Sequence, residues 1–285
     1  MSTPRTLALA REVKAASTTT ERGDFATLVC EPRDAALPRG NALLIPGFTG
    51  SKEDFASLLP LLAQAGWSVA TYDQRGQYET PARPTDDFSL HAFGADAVAV
   101  SAALFGSDER VHLVGHSFGG LVAAAAALAS PGTWASLTLM CSGPGRLSGS
   151  ERDDAQEAAE AIRERGLEEV YARKVERDAG RGMAVPDPDV ADFLHRRFLA
   201  NSADSLAAIA DHLASAVDRS GELATLDLPV SVMRGRDDDA WPHDVQARLA
   251  DALGTRVVVV SGAAHTPAVE NPEETRDALA RIWLG

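Results

Sequence analysis

Only 2 cysteines, Cys30 and Cys141, occur in the 285 residues. That is too few for a disulfide framework and fits a reducing compartment. Lysine is nearly as scarce, 3 against 24 arginines, a skew that points to a GC-rich coding sequence rather than to a function. Positive charge is in deficit overall. A formal net charge of −14 and a pI near 4.9 disfavour sequence-independent binding to nucleic acid or to an anionic membrane. No run approaches about 20 consecutive apolar residues, so no membrane insertion is expected. The first residues carry scattered charges without the apolar core of a signal peptide, so a cytoplasmic location is expected. Metal-binding spacings such as His-Glu-x-x-His and Cys-x-x-Cys are missing. No Gly-x-Gly-x-x-Gly opens a helix, and Gly143-Pro144-Gly145 lacks the length and the lysine of a phosphate loop. Neither a metal nor a nucleotide or other cofactor is expected.

What is present begins at residues 110–120. A β-branched run at 111–114 leads into Gly115-His116-Ser117-Phe118-Gly119-Gly120, and an alanine-rich stretch at 121–129 follows, stopped by Pro131. Gly-x-Ser-x-Gly between a strand and a helix describes a nucleophile elbow, a sharp turn that lifts the serine hydroxyl above the sheet edge. A serine hydroxyl is a poor nucleophile near neutral pH and needs a base, with a third group to orient that base. Two later strand patterns supply candidates. Residues 228–235 run into Arg236-Asp237-Asp238-Asp239, and residues 255–260 run into Ser261-Gly262-Ala263-Ala264-His265. Both loops follow strands, where open parallel sheets place their sites.

In motif order the chain resembles the α/β-hydrolase superfamily, its cap-bearing serine-esterase branch. Ile45-Pro46-Gly47-Phe48 is similar to the oxyanion loop, Asp73-Gln74-Arg75-Gly76 to the Asp-x-Arg-Gly strand end, and Gly115 to Gly119 to the elbow. Gly235-x-x-Asp238 and Gly262-x-x-His265 are similar to the acid and base loops. Two positions depart: Pro46 stands where many members carry His, and Tyr78 where a second glycine often follows. The resemblance implies a mostly parallel sheet of about eight strands flanked by helices, with Ser117, Asp238 and His265 catalytic. It also implies backbone N–H groups of Phe48 and Phe118 as the oxyanion hole. Asp73 and Arg75 are expected to form a structural ion pair.

Strands and helices alternate through residues 1–144 and 223–285, the expected core domain. A hairpin over residues 18–30 turns at Gly23-Asp24, and residues 54–65 read as a helix through Phe55, Leu58, Leu59 and Leu62. Ser89 caps the next helix, and Asn271-Pro272-Glu273-Glu274 starts the last. Residues 145–222 break the alternation and read as helices inserted after the sixth strand. Apolar positions recur at Ala155, Ala159 and Ile162, at Val170, Tyr171 and Val175, at Phe193, Leu194 and Phe198, and at Leu206, Ile209, Leu213 and Val217. Gly166 interrupts the first pair, and Gly180, Gly182, Pro186 and Pro188 separate it from the second. The insertion is expected to form a helical cap over the strand ends.

Seven histidines compete for the base. His116 precedes the nucleophile and reads as structural. His112 lies in a strand, and His91, His195 and His212 lie on helices. His243 could line the cleft but precedes the last strand, which leaves His265. The aromatic side chains of Phe48, Phe118 and Trp241 are candidates for the substrate pocket. A serine at the elbow argues against the aspartate-dependent epoxide hydrolases and haloalkane dehalogenases of this fold. The expected activity is hydrolysis of a small to medium apolar carboxylic ester through an acyl-enzyme. The alternatives are a lactonase or thioesterase, and a slow-turnover ligand-binding protein; the oligomeric state is open.

Overall fold

A computed structural model describes residues 2–32, 39–180 and 185–285. Its strands are β1 (Lys14–Thr20), β2 (Gly23–Cys30), β3 (Gly40–Ile45), β4 (Trp67–Tyr72), β5 (Val111–His116), β6 (Trp134–Met140), β7 (Val230–Gly235) and β8 (Val257–Val260). They form one sheet in the order β1-β2-β4-β3-β5-β6-β7-β8. The β1–β2 and β2–β4 pairs are antiparallel, and every later pair is parallel. The chain therefore reverses direction in the sheet between β3 and β5, the crevice where such sheets hold their sites.

The central strands β3, β4, β5 and β6 are buried on both faces because helices cover both. Successive side chains point to opposite faces. Leu43, Ile45, Leu113, Leu137 and Leu139 therefore meet α2 (Leu90–Phe105) and α3 (Phe118–Ala129). Ala42, Leu44, Val69, Val114 and Met140 meet α1 (Leu58–Gln64) and α10 (Pro272–Leu284). Ser89 Oγ accepts the Ala92 N–H at 3.1 Å, and Asn271 caps α10 by accepting the Glu274 N–H at 3.3 Å. Each satisfies one helix-end donor, as their positions before apolar runs imply.

Two boundaries differ from expectation. Gly23 pairs with Thr20 inside the hairpin ladder, so the turn falls at Glu21-Arg22. The helix over residues 54–65 is two pieces, a 3₁₀ turn Lys52–Phe55 and then α1. Tyr78 has φ 43°, the left-handed region where glycine carries no steric cost. Two contacts on the Tyr78 ring hold it there. Phe193 lies edge-on at 5.7 Å, and the Lys52 ammonium sits 4.8 Å from the ring centre.

Between β6 and β7, the described residues form α4 (Gly149–Gly180), α5 (Pro188–Leu199), α6 (Ala203–Ser215) and α7 (Ser220–Leu223). Gly166 breaks α4 with φ 78°, as its place in the sequence implies. Gly182 lies outside the described residues. Ala155, Ala159, Ile162, Phe193, Leu194, Phe198, Leu206, Ile209 and Leu213 are buried. Val175 and Val217 are exposed instead, Val217 because α6 ends two residues before it. Among the described residues no helix is long and apolar enough to cross a membrane. After α7 come α8 (His243–Ala252) and α9 (Pro267–Glu270).

Candidate active site

Ser117 stands between β5 and α3 with φ 54° and ψ −122°, a conformation that costs a side-chain-bearing residue roughly 1–3 kcal/mol. Two contacts hold the turn. The Ser117 N–H donates to Met140 O at 2.9 Å, and Gly119 sits so close to β3 that a Cβ there would lie 2.4 Å from Ile45 O. The elbow's glycine is thus a packing requirement of β3 against α3. The turn leaves the Ser117 side chain half-buried at the sheet's C-terminal edge.

His265 Nε2 lies 3.1 Å from Ser117 Oγ, and His265 Nδ1 lies 2.8 Å from Asp238 Oδ1. Of the three adjacent aspartates, Asp237 and Asp239 are exposed, while the Asp238 side chain is fully buried. Burial pushes the Asp238 carboxyl up. Hydrogen bonds from His265, Gln246 and the Ala240 N–H outweigh it and hold the group below its ordinary 3.8. The Gln246 contact, Nε2 to Asp238 Oδ2 at 2.8 Å, comes from α8, and nothing in the sequence near the acid loop announces it. The acid and base loops touch through backbone: Asp237 N–H donates to Ala263 O at 3.0 Å. A Cβ on Gly235 would lie 1.9 Å from Ala264 O, so only glycine lets them meet.

His116 acts on the base loop. Its Nε2 lies 2.7 Å from His265 O, and a carbonyl can only accept, so Nε2 carries the proton. Burial, helped by repulsion from His265, pushes the His116 pKa down to about 4, so the ring donates as a neutral imidazole. Glu270 of α9 accepts from the Ala264 N–H and from Thr266 N–H at 3.2 Å and Oγ1 at 2.5 Å, closing the loop around His265. His243 reaches Asp238 O at 3.1 Å rather than the space before Ser117. Ligand-type atoms of His116, Cys141 and His265 lie within 4.8 Å of one another. Protein contacts occupy them: Cys141 Sγ accepts from Gly235 N–H at 3.4 Å and lies 3.7 Å from Ala264 O.

On the other side of Ser117 lies the loop 46–51. The Phe118 N–H is the first of α3, and the Phe48 N–H meets no acceptor among the described residues. The Phe48 ring is half-buried and touches both the sheet core and a cluster made by Ile162, Phe198, Leu206 and Ala207 of the inserted helices. The other two aromatic candidates are packed away. Phe118 is 0% exposed, edge-on to Phe93 and stacked on His212. Trp241 is 1% exposed and fills the space above Gly143, where a Cβ would lie 2.0 Å from its ring. A large ring finds most burial against a residue without a side chain, and here that partner lies in the core.

Asp73 and Arg75 do not pair with each other. Asp73 accepts from the Lys52 N–H at 2.7 Å and its ammonium at 2.8 Å, while Arg75 grips Asp96 at 2.6 and 2.8 Å and Asp86 at 3.0 Å. The chain bends after β4, so the two side chains leave toward different elements. Arg197 of α5, fully buried, donates to Asp54 at 2.8 Å, to Ser51 Oγ at 3.3 Å and to Ser2 O at 2.6 Å.

Comparison with known proteins agrees with this architecture. Residues 43–186 match the family model of the alpha/beta hydrolase fold. RutD of Variovorax paradoxus (strain S110), a protein named for carbamate hydrolysis, is 30% identical over 216 residues, 74% of this chain and 79% of that one. A thermophilic esterase from Thermogutta terrifontis shares the fold at TM-score 0.74 and 23% identity, over 95% of this chain and 98% of that one. The enol-lactonase from Burkholderia xenovorans LB400 does so at TM-score 0.76 and 18% identity, over 95% and 100%. The chain belongs to the α/β-hydrolase fold family and is a hydrolase of that fold.

Proposed function

We propose that this protein is a serine hydrolase that cleaves a carboxylic ester or related acyl bond of a small to medium apolar substrate. The observation that carries the reading is the continuous hydrogen-bond chain from Ser117 Oγ through His265 to Asp238. In that reading Ser117 Oγ attacks the acyl carbon while His265 Nε2 takes its proton. Asp238 holds Nδ1–H and stabilises the imidazolium. The backbone N–H groups of Phe48 and Phe118 receive the negative charge of the tetrahedral oxygen. Collapse expels the alcohol, which takes the proton from Nε2, and leaves the acyl group on Ser117. Water, deprotonated by His265 Nε2, then attacks the acyl carbon; the bond to Ser117 Oγ breaks, Oγ takes the proton back from Nε2, and the acid leaves.

The residues 145–222 serve in this reading as the cap, set on a core of residues 1–144 and 223–285. The apolar contacts between Phe48 and the inserted helices support it, and the half-buried Leu167, Val170 and Tyr171 beside them favour a neutral apolar group. The names of the carbamate hydrolase and the enol-lactonase extend the range of acyl bonds to test. Cys30 and Cys141, both buried and neither in a disulfide, suit a cytoplasmic protein.

Ser117→Ala tests the assignment. We expect turnover of short p-nitrophenyl esters to fall by at least about 10⁴, with an unchanged thermal midpoint, and a fluorophosphonate to label wild type only. Wild-type turnover by the purified variant would remove Ser117 from the mechanism.

A further inference from the structure

The peptide unit joining Gly47 to Phe48 has two ends with different partners. Its N–H receives the oxyanion in the proposed mechanism, and any role for its carbonyl in catalysis rests on that mechanism. The carbonyl, Gly47 O, accepts from the Gly50 N–H at 3.1 Å and from Gln77 Nε2 at 3.3 Å. The carbonyl just before it, Pro46 O, accepts from Gln74 Nε2 at 2.9 Å. Two glutamine side chains from the loop after β4 thus grip consecutive carbonyls of the loop that carries the Phe48 N–H.

Both glutamines are buried, Gln77 at 0% and Gln74 at 1% exposure. A carbonyl oxygen only accepts, so each amide must turn its NH₂ toward the loop. That choice leaves both Oε1 atoms buried with no partner among the described residues. A buried unpaired acceptor is destabilising, and a methionine of similar length would avoid it. Packing alone therefore does not account for glutamine at either position. Rigidity does not come from the glutamines themselves. Asp73 and Arg75, flanking Gln74, are locked by Lys52 and by Asp96, and the Gln77 N–H donates to Gln74 O at 2.8 Å. The amides are thereby presented from a fixed base.

We propose that Gln77, seconded by Gln74, is a positioning residue of the oxyanion hole. Its NH₂ fixes the plane of the Gly47–Phe48 peptide and polarises it. A hydrogen bond at a peptide oxygen draws electron density from the nitrogen and makes the N–H at the other end a stronger donor. Negative charge arriving at that N–H strengthens the far bond in return. The effect is therefore largest when the substrate oxygen becomes an oxyanion and small while it is a neutral carbonyl. Only interactions that strengthen toward the transition state accelerate the reaction.

The test uses the full chain as wild type, Gln77→Met, Gln77→Glu and Gln74→Met. Three quantities are read: the rate of fluorophosphonate labelling at Ser117, kcat and KM on an activated ester, and the thermal midpoint. Gln77→Met should lower kcat and the labelling rate about tenfold while KM stays within about twofold, the signature of a contact made in the transition state. Gln77→Glu should be slower still, because a carboxylate would face the Gly47 carbonyl. Gln74→Met should show a smaller loss, since its carbonyl is one peptide removed from the donor. If the Glu variant does not fold, the Met variants decide the question at a temperature below their own melting. Gln77→Met with wild-type labelling and kcat, or with the loss confined to KM or stability, overturns the positioning role. Wild type that no fluorophosphonate labels overturns the serine-hydrolase reading first, and this proposal with it.

Discussion

The two sides of Ser117 are built differently. On what the proposed mechanism makes the base side, side chains meet the reacting groups directly: Asp238 bonds the His265 ring, Gln246 (with the Ala240 N–H) holds Asp238, and His116 and Glu270 hold the backbone around His265. On what the proposed mechanism makes the oxyanion side the donors are backbone groups, and side chains reach them at one remove, through buried ion pairs and two glutamines. The physical reason is what each side must supply. A base needs a particular ring nitrogen with a particular proton, which only a charged or hydrogen-bonding side chain can dictate. An oxyanion needs donors that do not move, and any backbone N–H will serve once its loop is locked.

The comparison predicts that substitutions on the base side strike the reaction, and that breaking a buried ion pair on the oxyanion side strikes the architecture first. The largest base-side effect is expected at Asp238. Asp238→Asn keeps the size but loses the charge that stabilises imidazolium, and turnover should fall by about 10⁴. Asp237→Asn and Asp239→Asn, exposed and turned away, should stay within about tenfold of wild type. Steady-state turnover of the three variants checks this; equal damage at either neighbour would break the distinction within the loop.

Arg197→Met is the counterpart on the oxyanion side. It leaves Asp54 buried and unpaired, and breaking such a pair typically costs about 3–5 kcal/mol. Urea unfolding should record a loss of that size. Adding Asp54→Asn should restore part of it, because the stranded charge is then gone. Full stability in the single variant would mean that the ion pair does not tie α5 to the 3₁₀ turn Lys52–Phe55.

The smallest effect is on pH, and it separates the base-side groups from one another. Burial lowers the pKa of His116, and likewise of His112, from 6.5 to about 4. Between these values the unfolded chain binds protons that the folded chain does not. Stability is then fully present above about pH 6.5 and falls as the pH drops toward 4. Asp238, held below 3.8, loses its contribution only at lower pH, as the pH falls through its folded value. His116→Gln, which keeps a donor for His265 O, should flatten the fall of the thermal midpoint between pH 6.5 and 4. An unchanged slope would assign that acid sensitivity to other groups.

Much of the base side is legible in the chain. The elbow is a local geometry, and Gly115, Ser117 and Gly119 spell it out between a β-branched run and an alanine-rich one. The order serine, acid, base follows from strands arriving in sequence at one sheet edge. Trp241 is the exception there: proximity to Asp238 along the chain says nothing about which way an indole turns, and Gly143, almost one hundred residues earlier, draws it into the core. On the oxyanion side less can be read, because its contacts join segments far apart in sequence. Lys52 meets Asp73, Arg197 meets Asp54, and Gln77 meets Gly47.

The sequence by itself therefore determined the fold, through the alternation of buried strands and helices, and the serine, through a turn whose constraints are confined to a few consecutive residues. Only the tertiary structure decided which histidine supports the His265 loop, which side chains hold Asp238, and which buried amides hold the Phe48 peptide. Those choices depend on where side chains from separate strand ends converge. A linear pattern carries turn geometry and periodicity, but the convergence exists only after the sheet has twisted and the helices have closed over it.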